Sequence, residues 1–118
     1  MNIGILGAGN IARNMARTLN RMDDAVCFAV ASRGKEKAEK FAEEFGIQKA
    51  YGSYEELVSD PDVELVYIAT PHSHHFEHAK LCIAHGKPVL CEKAFTANAA
   101  QARELITYAE EKKVFITE

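Results

Sequence analysis

The sequence lacks several features that would place it in a specialised class of proteins. Its 118 residues hold 14 Lys and Arg against 17 Asp and Glu, and the net charge is -3. It therefore has no basic excess of the kind that nucleic-acid-binding and membrane-surface proteins carry. It also has no apolar run long enough to cross a bilayer and no signal-peptide pattern at its start. We therefore expect a protein that is neither secreted nor membrane-embedded.

Cysteine is scarce, and Cys27, Cys82 and Cys91 form no CxxC pair. Each lies in an apolar sequence context, which is typical of buried, reduced thiols in a cytoplasmic protein. None has a neighbouring base or cationic environment that would activate it as a catalytic nucleophile. Low-complexity segments, internal repeats and linkers are absent too, so the sequence predicts one domain over residues 1–118.

The first two dozen residues contain the most informative pattern that is present. Residues 2–6 are mostly apolar and predict a buried strand, while Ile11, Met15 and Leu19 recur at the spacing of one helix face. The turn between strand and helix reads Gly-Ala-Gly-Asn-Ile-Ala, which fits the Gly-x-Gly-x-x-Ala fingerprint of dinucleotide binding. The amides that open such a helix lack internal partners, and with the helix dipole they form a site for phosphates.

The small residues of this turn have separate physical roles. Gly7 can take backbone angles closed to other residues, and Gly9 has no side chain to hold a pyrophosphate away from the main chain. Ala12 is small enough for the helix to pack closely on the strand. We predict that a dinucleotide contacts Gly7, Gly9, Asn10, Ile11 and Ala12; a purely structural tight turn is the alternative interpretation.

The end of the second strand indicates which dinucleotide is bound. An apolar run at residues 25–31 predicts a strand buried on both faces, and it ends in Ser32 and Arg33. NAD-binding folds place an acidic residue here, which accepts hydrogen bonds from the adenosine ribose. Instead, Arg33 can bind a 2′-phosphate and stack on adenine, with Lys35 and Lys37 nearby. NADP is therefore favoured, with NAD as the second choice; a solvated cationic face is the alternative interpretation.

Strand and helix patterns alternate through the rest of the chain. Apolar spacing, caps and breakers predict helices over residues 35–45, 53–58, 76–84 and 99–111, and strands over residues 49–51, 64–70, 89–91 and 114–116. This alternation predicts an α/β fold, a doubly wound parallel sheet in a three-layer αβα Rossmann domain. Four stretches should meet at the edge formed by the carboxyl ends of the strands: residues 7–12, 32–33, 70–75 and 92–93.

Three longer motifs carry a resemblance to a known family. They are Gly-Ala-Gly-Asn-Ile-Ala at residues 7–12, Ala-Thr-Pro-His-Ser-His-His-Phe-Glu-His-Ala at residues 69–79, and Gly-Lys-Pro-Val-Leu-Cys-Glu-Lys at residues 86–93. Together they resemble the N-terminal domain of the glucose-fructose oxidoreductase / inositol dehydrogenase family (Gfo/Idh/MocA) over the whole chain. Ser32-Arg33 and the run at residues 92–96 are similar to its dimeric dihydrodiol dehydrogenase branch, which prefers NADP.

The resemblance implies further residues of the site. It implies cofactor contacts from Thr70, Pro71, His72, His75, Glu92 and Lys93. Lys93 is the implied catalytic residue, because its ammonium can polarise the reacting oxygen and hold the nicotinamide ribose, with Glu92 orienting it. The sequence departs from the family at His72, where Asn is common, and at Ala94, where Pro is common. We expect a trans Lys93–Ala94 bond, because a cis bond before a residue other than proline costs roughly 3 kcal/mol.

The cluster of histidines raises the alternative of a metal site. His74 and His78 are four residues apart, and His75 and His78 three apart, on one predicted helix face. We predict no metal, because a site would need a carboxylate or thiol from elsewhere and the run fits a loop that enters the cofactor cleft. His75 is expected to cap the helix or contact the dinucleotide, while His74, His78 and His85 are expected to be partly exposed.

The resemblance also implies an activity. It implies an NAD(P)-dependent oxidoreductase that transfers hydride between a nicotinamide cofactor and a sugar, polyol or cyclic diol. The family places a second, α+β domain after this one, which covers the substrate, donates the proton and forms a homo-oligomer interface. This chain lacks that domain, so we expect it to bind cofactor without turnover, in the cytoplasm, with no nucleic-acid or membrane partner. The alternative is a stand-alone nucleotide-binding or redox-sensing module without catalytic activity.

Overall fold

The computed structural model describes residues 1–70, 74–91 and 99–117, and strands and helices alternate along it. In chain order the elements are β1 (Asn2–Leu6), α1 (Asn10–Asn20), β2 (Val26–Ala31), α2 (Lys35–Phe45), β3 (Lys49–Tyr51), α3 (Tyr54–Val58), β4 (Leu65–Ile68), α4 (His75–Ala84), β5 (Val89–Cys91), α5 (Ala99–Lys112) and β6 (Ile116–Thr117). These strands form a parallel sheet in the order β3-β2-β1-β4-β5-β6. The predicted doubly wound α/β fold is confirmed.

Helices cover both faces of the sheet, because alternate residues of each strand point to opposite sides. On one face, Ala12 of α1 and Phe41 of α2 pack in the same cluster as Ile5 of β1. On the other face, α3, α4 and α5 pack against the sheet in a second cluster that includes Leu6, Leu57, Val66, Ile83 and Leu105. The result is the predicted three-layer αβα arrangement.

The buried face of α1 differs from the predicted one. Ala12 and Ala16 are fully buried and Leu19 is nearly so, whereas Ile11 is 40% exposed and Met15 is only partly buried. The predicted stripe is therefore correct at Leu19 and wrong at Ile11. Because α1 follows β1 after a turn of three residues, it lies so close to the sheet that methyl groups fill the contact, and the larger Ile11 is turned towards the cleft described below.

Two helix boundaries follow from the local sequence as predicted. Gly46 ends α2 in the left-handed conformation with φ 68°, which glycine adopts without steric cost. At the start of α3, the Ser53 hydroxyl accepts a hydrogen bond from the Glu56 amide at 3.3 Å. This is half of the predicted capping box. The amide version predicted for α5 depends on Asn98, which lies outside the described residues.

Other boundaries moved by one to two residues. The helix α4 begins at His75 rather than Phe76, and β4 is shorter than the predicted strand 64–70. The last strand is Ile116–Thr117 instead of residues 114–116, because Lys113 takes φ 58° and the Val114 amide turns back to the Ala109 carbonyl. The chain therefore regains an extended form later than its apolar residues suggest.

Two of the cysteines are buried as expected. Cys27 and Cys82 are 4% and 0% exposed, and burial raises the pKa of each thiol to about 12. Such thiols are protonated at neutral pH and poor nucleophiles. The Cys91 side chain lies outside the described part of the structure. No described helix is both long and apolar enough to cross a membrane.

Candidate functional site

The topology places a cleft at the carboxyl ends of the central strands. The chain runs from β1 outwards to β2 and β3, then returns to add β4 on the other side of β1. Ligands of doubly wound sheets bind at such a switch point, because the loops leaving neighbouring strands diverge there. A cleft of about 630 Å³ lies at this point and is lined by Gly7, Ala8, Gly9, Asn10, Ile11, Ser32, Arg33, Gly34, Lys37, Tyr54, Ile68, Ala69, Thr70, His74 and His75.

The glycine turn between β1 and α1 forms the floor of the cleft. Gly7 has φ 108°, and its amide donates to the Ala31 carbonyl at 2.8 Å. A Cβ atom at Gly7 would lie 2.9 Å from the Ala69 carbonyl oxygen, so the backbones of the turn and of β4 leave no room for one. Apart from its neighbours in the chain, a Cβ at Gly9 would meet no atom of the described residues within 4 Å, because Gly9 borders the open cleft. The two glycines thus serve different purposes.

The start of α1 lacks an anionic partner of its own. The first helical hydrogen bond runs from the Arg13 amide to the Gly9 carbonyl at 3.0 Å. The amides of residues 10–12 therefore have no intrahelical acceptor. Gly9 provides no side-chain cap, and the first turn of α1 contains no acidic residue. Together with the positive end of the helix dipole, this arrangement fits a phosphate group.

The end of β2 contributes cations to the cleft wall. Arg33 and Lys37 are exposed there, and no Asp or Glu occurs among the described residues that line the cleft. Ser32 is 4% exposed, and its hydroxyl donates to the Gly34 carbonyl at 2.8 Å while accepting from the Gly34 amide at 3.3 Å. Ser32 therefore shapes the loop that presents Arg33. The local charge favours an anionic ligand.

The end of β4 is held by two histidines from α4. The His75 Nε2 atom lies 2.9 Å from the Thr70 carbonyl oxygen and donates to it, because that oxygen can only accept. The Thr70 hydroxyl and His78 Nδ1 are 2.7 Å apart in a buried hydrogen bond. His78 is 9% exposed, so the expectation that it is partly exposed is wrong. The exposed His85 and the partly buried His74 fit that expectation.

Burial also sets the protonation state of His78. Burial lowers the pKa of His78 to about 4, with smaller contributions in the same direction from His74, His75 and Arg33 and an opposing one from Glu77. A neutral imidazole carries its proton on one ring nitrogen only. The direction of the Thr70–His78 hydrogen bond depends on which ring nitrogen is protonated. If the proton is on Nε2, Nδ1 accepts from the Thr70 hydroxyl.

A side-chain contact joins the β2 loop to the start of α4. The Arg33 Nη2 atom lies 3.2 Å from His74 Nε2. Because a guanidinium can only donate, His74 Nε2 is the acceptor. The two residues that meet here leave strands on opposite sides of β1, so the contact spans the switch point. It is made by exposed and half-buried side chains that can separate without disturbing the core.

The structure brings together most of the predicted site residues that it describes. Those that line the cleft are Gly7, Gly9, Asn10, Ile11, Ser32, Arg33, Thr70 and His75. The Ala12 side chain is instead fully buried in the core between α1 and the sheet, as its predicted packing role requires. Pro71, His72, Glu92, Lys93 and the Lys93–Ala94 bond lie outside the described residues.

Tyr54 and His74 line the cleft but were missed as site residues by sequence reasoning. Tyr54 follows β3, and its ring meets the His78 ring edge-on with centroids 4.6 Å apart. The position of Tyr54 just beyond the carboxyl end of a strand is the signal that could have identified it, since ligands of such sheets bind there. His74 lies in the stretch 70–75 that is expected at this edge, but its four-residue spacing to His78 suggests a metal pair and predicts no cofactor contact for it.

The same histidines bear on the alternative of a metal site. Among residues 1–70, 74–91 and 99–117, no three His, Cys, Asp or Glu side chains come together in an arrangement that could hold a metal ion. One ring nitrogen of each of His74, His75 and His78 has a partner within the protein, as given above.

Comparison with known proteins agrees with this geometry. A D-xylose 1-dehydrogenase (NADP(+)) of Hypocrea jecorina is 45% identical and is matched over 98% of this chain and 32% of its own length. A mouse trans-1,2-dihydrobenzene-1,2-diol dehydrogenase is 47% identical over 117 residues, 98% of this chain and 35% of that protein. The chain thus spans about a third of these relatives.

A solved structure and a family pattern extend the comparison. The crystal structure of a 3-ketoreductase from Actinomadura kijaniata, in complex with TDP-benzene and NADP, superposes with a TM-score of 0.93 at 31% identity, over all of this chain and 37% of that one. These relatives are oxidoreductases, and none of the three supports a module without catalytic activity. The pattern described as "Oxidoreductase family, NAD-binding Rossmann fold" matches residues 1–118. The chain therefore belongs to the Gfo/Idh/MocA oxidoreductase family, in the dihydrodiol dehydrogenase-like branch that its sequence resembles.

Proposed function

We propose that this chain is the NADP-binding domain of an oxidoreductase that transfers hydride between the cofactor and a sugar, polyol or cyclic diol. One observation carries the proposal. The glycine turn, the cationic end of β2 and the Thr70 end of β4 line a single cleft at the switch point of the sheet. A dinucleotide needs these three elements together, because its phosphates, adenosine and nicotinamide halves extend across such a crevice.

The residues present fit NADP. The open space at Gly9 and the uncapped start of α1 suit a pyrophosphate, and Arg33 with Lys37 suits the 2′-phosphate that distinguishes NADP from NAD. NAD remains the second choice, since the glycine turn is common to both. When bound, the nicotinamide supplies the hydride chemistry, and the residues of this chain bind and orient it.

Two further parts of the proposal depend on the resemblance. Lys93 is proposed to polarise the reacting oxygen, with Glu92 beside it, because the resemblance assigns it this role and an ammonium group can stabilise developing negative charge. Substrate binding, the proton donor and a homo-oligomer interface are assigned to a second domain. The relatives support this, since the chain matches about a third of their length. A cytoplasmic location is proposed from the buried thiols and the composition.

The experiment that tests cofactor choice is a titration of the chain with NADPH and NADH, followed by the fluorescence of the reduced nicotinamide. We expect NADPH to bind at least about tenfold more tightly, or roughly 1.4 kcal/mol. Arg33→Asp should lower NADPH affinity by about 30- to 100-fold, since it replaces a charged hydrogen bond by repulsion, and should change NADH affinity by less than about threefold.

Lys40→Asp is the matched control. Lys40 lies on α2 outside the lining of the cleft, so the same change of charge there removes no side chain that could contact the cofactor. Equal losses of NADPH and NADH affinity in Arg33→Asp would contradict the NADP assignment. Absence of binding by the unaltered chain to both cofactors would contradict the function as a whole.

A further inference from the structure

His78 lies behind the wall of the cleft and joins several of its parts. It does not line the cleft itself, and its side chain is buried. Its Nδ1 atom is bonded to the Thr70 hydroxyl at 2.7 Å, and Thr70 is 3% exposed at the point where β4 leaves the sheet. The carbonyl of the same Thr70 is bonded to His75. Thr70 is therefore fixed at both its side chain and its backbone by residues of α4.

The ring of His78 supports two other residues of the cleft. Tyr54 meets it edge-on, and the His74 ring stacks on it with centroids 5.7 Å apart and an interplanar angle of 27°. His74 in turn accepts the hydrogen bond from Arg33. A continuous set of contacts thus runs from Thr70 at the centre of the sheet, through His78 and His74, to Arg33 at the adenosine side.

An ordinary buried histidine would need only one polar partner and apolar packing. His78 instead contacts residues from two parts of the cleft wall: Thr70 and His74 in the connection between β4 and α4, and Tyr54 after β3. All three of these residues line the cleft. Binding sites need such supporting residues, because a side chain that is not held in its rotamer loses affinity through the entropy of fixing it on binding.

We infer that His78 is a positioning residue of the cofactor site, which fixes the Thr70 hydroxyl through Nδ1 and supports His74, and through it Arg33, with its ring. This inference rests on the proposed function, because the site that His78 positions is the proposed NADP site. The affinity for the cofactor then depends on the hydrogen-bonding atom at the Nδ1 position of His78, and not only on the volume of the side chain.

The substitutions that test this inference separate the hydrogen bond from the packing. His78→Phe keeps a ring of similar size and removes the polar atom. His78→Asn places an amide atom near the position of Nδ1, whereas His78→Gln places its amide further out, so the two differ in the reach of one polar group. His85→Phe is the matched control, since His85 is exposed at the end of the same helix and outside the cleft lining.

The measurement is the dissociation constant for NADPH of the full chain, by nicotinamide fluorescence, with circular dichroism to confirm folding. We expect His78→Phe to bind NADPH about tenfold more weakly and His85→Phe to bind as the unaltered chain does. His78→Asn should bind within about threefold of the unaltered chain, and His78→Gln about fivefold more weakly than His78→Asn. Thr70→Val combined with His78→Phe should be no weaker than the weaker of the two single variants, because both remove the same bond.

The possible failures are distinguishable. If the unaltered chain binds NADPH and a folded His78→Phe binds it equally well, the inference about His78 is wrong and the proposed function stands. If His78→Phe does not fold, the comparison of His78→Asn with His78→Gln decides, and equal affinities overturn the inference. If the unaltered chain binds neither NADPH nor NADH, the proposed function fails and the inference fails with it.

Discussion

The two sides of the cleft are built by different means. On the β1–α1 side, the cleft is formed mainly by backbone atoms. Gly7 has no room for a Cβ atom, Gly9 keeps the cleft open, and α1 presents its first amides. On the β4–α4 side, the site consists of side chains that depend on one another, from Thr70 through His78 to His74. The first side depends on the absence of side chains at Gly7 and Gly9, and the second depends on the presence of particular ones.

This difference teaches how each side should respond to change. A backbone-built site is altered by adding atoms, whatever their chemistry, because the constraint is steric. A site built from side chains is altered by removing a partner, because its geometry comes from hydrogen bonds and ring contacts. The largest effects are expected for substitutions on the β1–α1 side, and the smallest is expected for the titration of His78 on the β4–α4 side.

The largest effect is expected for Gly7→Ala. The added methyl group combines a φ of 108°, which alanine avoids, with a 2.9 Å approach to the Ala69 carbonyl oxygen. We expect the free energy of unfolding to fall by about 2–4 kcal/mol and NADPH binding to be lost. Urea unfolding followed by circular dichroism measures the first and fluorescence titration the second.

Gly46→Ala is the control for this prediction. Gly46 also takes a positive φ, 68°, but apart from its chain neighbours a Cβ there meets no atom within 4 Å in the part of the chain that the structure describes. It should cost only about 1 kcal/mol and leave the affinity for NADPH unchanged. If the two variants lose equal stability, the close approach of Gly7 to β4 has no energetic weight and the steric description of this side is wrong.

Gly9→Val should separate binding from folding. Gly9 has φ -93°, a value open to any residue, and a Cβ at this position would meet no atom of the described residues within 4 Å apart from its own chain neighbours. The free energy of unfolding should fall by only about 1 kcal/mol, because valine is a poorer helix N-cap than glycine. NADPH affinity should fall by about 100-fold, since the isopropyl group takes the place of a phosphate. Unchanged affinity in the folded variant would remove the glycine turn from the binding site.

The smallest effect concerns the pH dependence of stability on the β4–α4 side. The pKa of His78 is lowered to about 4 in the folded chain by burial, against an ordinary value near 6.5 in the unfolded chain. The stability that neutral His78 contributes is therefore present above about pH 6.5 and is lost as the pH falls towards 4. Between pH 7 and pH 5 we expect the unaltered chain to lose about 1–2 kcal/mol relative to His78→Asn.

The comparison with His78→Asn isolates this effect, because titration of the acidic residues and of the other histidines is common to both chains. Urea unfolding at half-unit steps of pH gives the difference directly. Parallel pH profiles would mean that His78 titrates alike in the folded and unfolded chains, and they would contradict the burial of its side chain.

Much of the fold could be predicted because its signals are local. The strand at residues 2–6 follows from the apolar pattern of its residues, and the end of α2 follows from a backbone conformation that favours glycine at Gly46. The cap of α3 follows from the Ser53 hydroxyl, which lies three residues before the amide that it accepts from. The prediction for α1 failed where size was taken as a sign of burial. Ala12 is buried and Ile11 is not, because the distance between the helix and the sheet decides which side chain fits between them.

The sequence by itself determined the order of elements, the glycine turn and the charge of Arg33, since each depends on residues that are neighbours in the chain or on the identity of one residue. Only the tertiary structure decided that His78 is buried, that Tyr54 reaches the cleft and that Arg33 meets His74. The physical reason is that these contacts join β2, β3 and β4. Their separation is set by strand order and register, and not by distance along the chain.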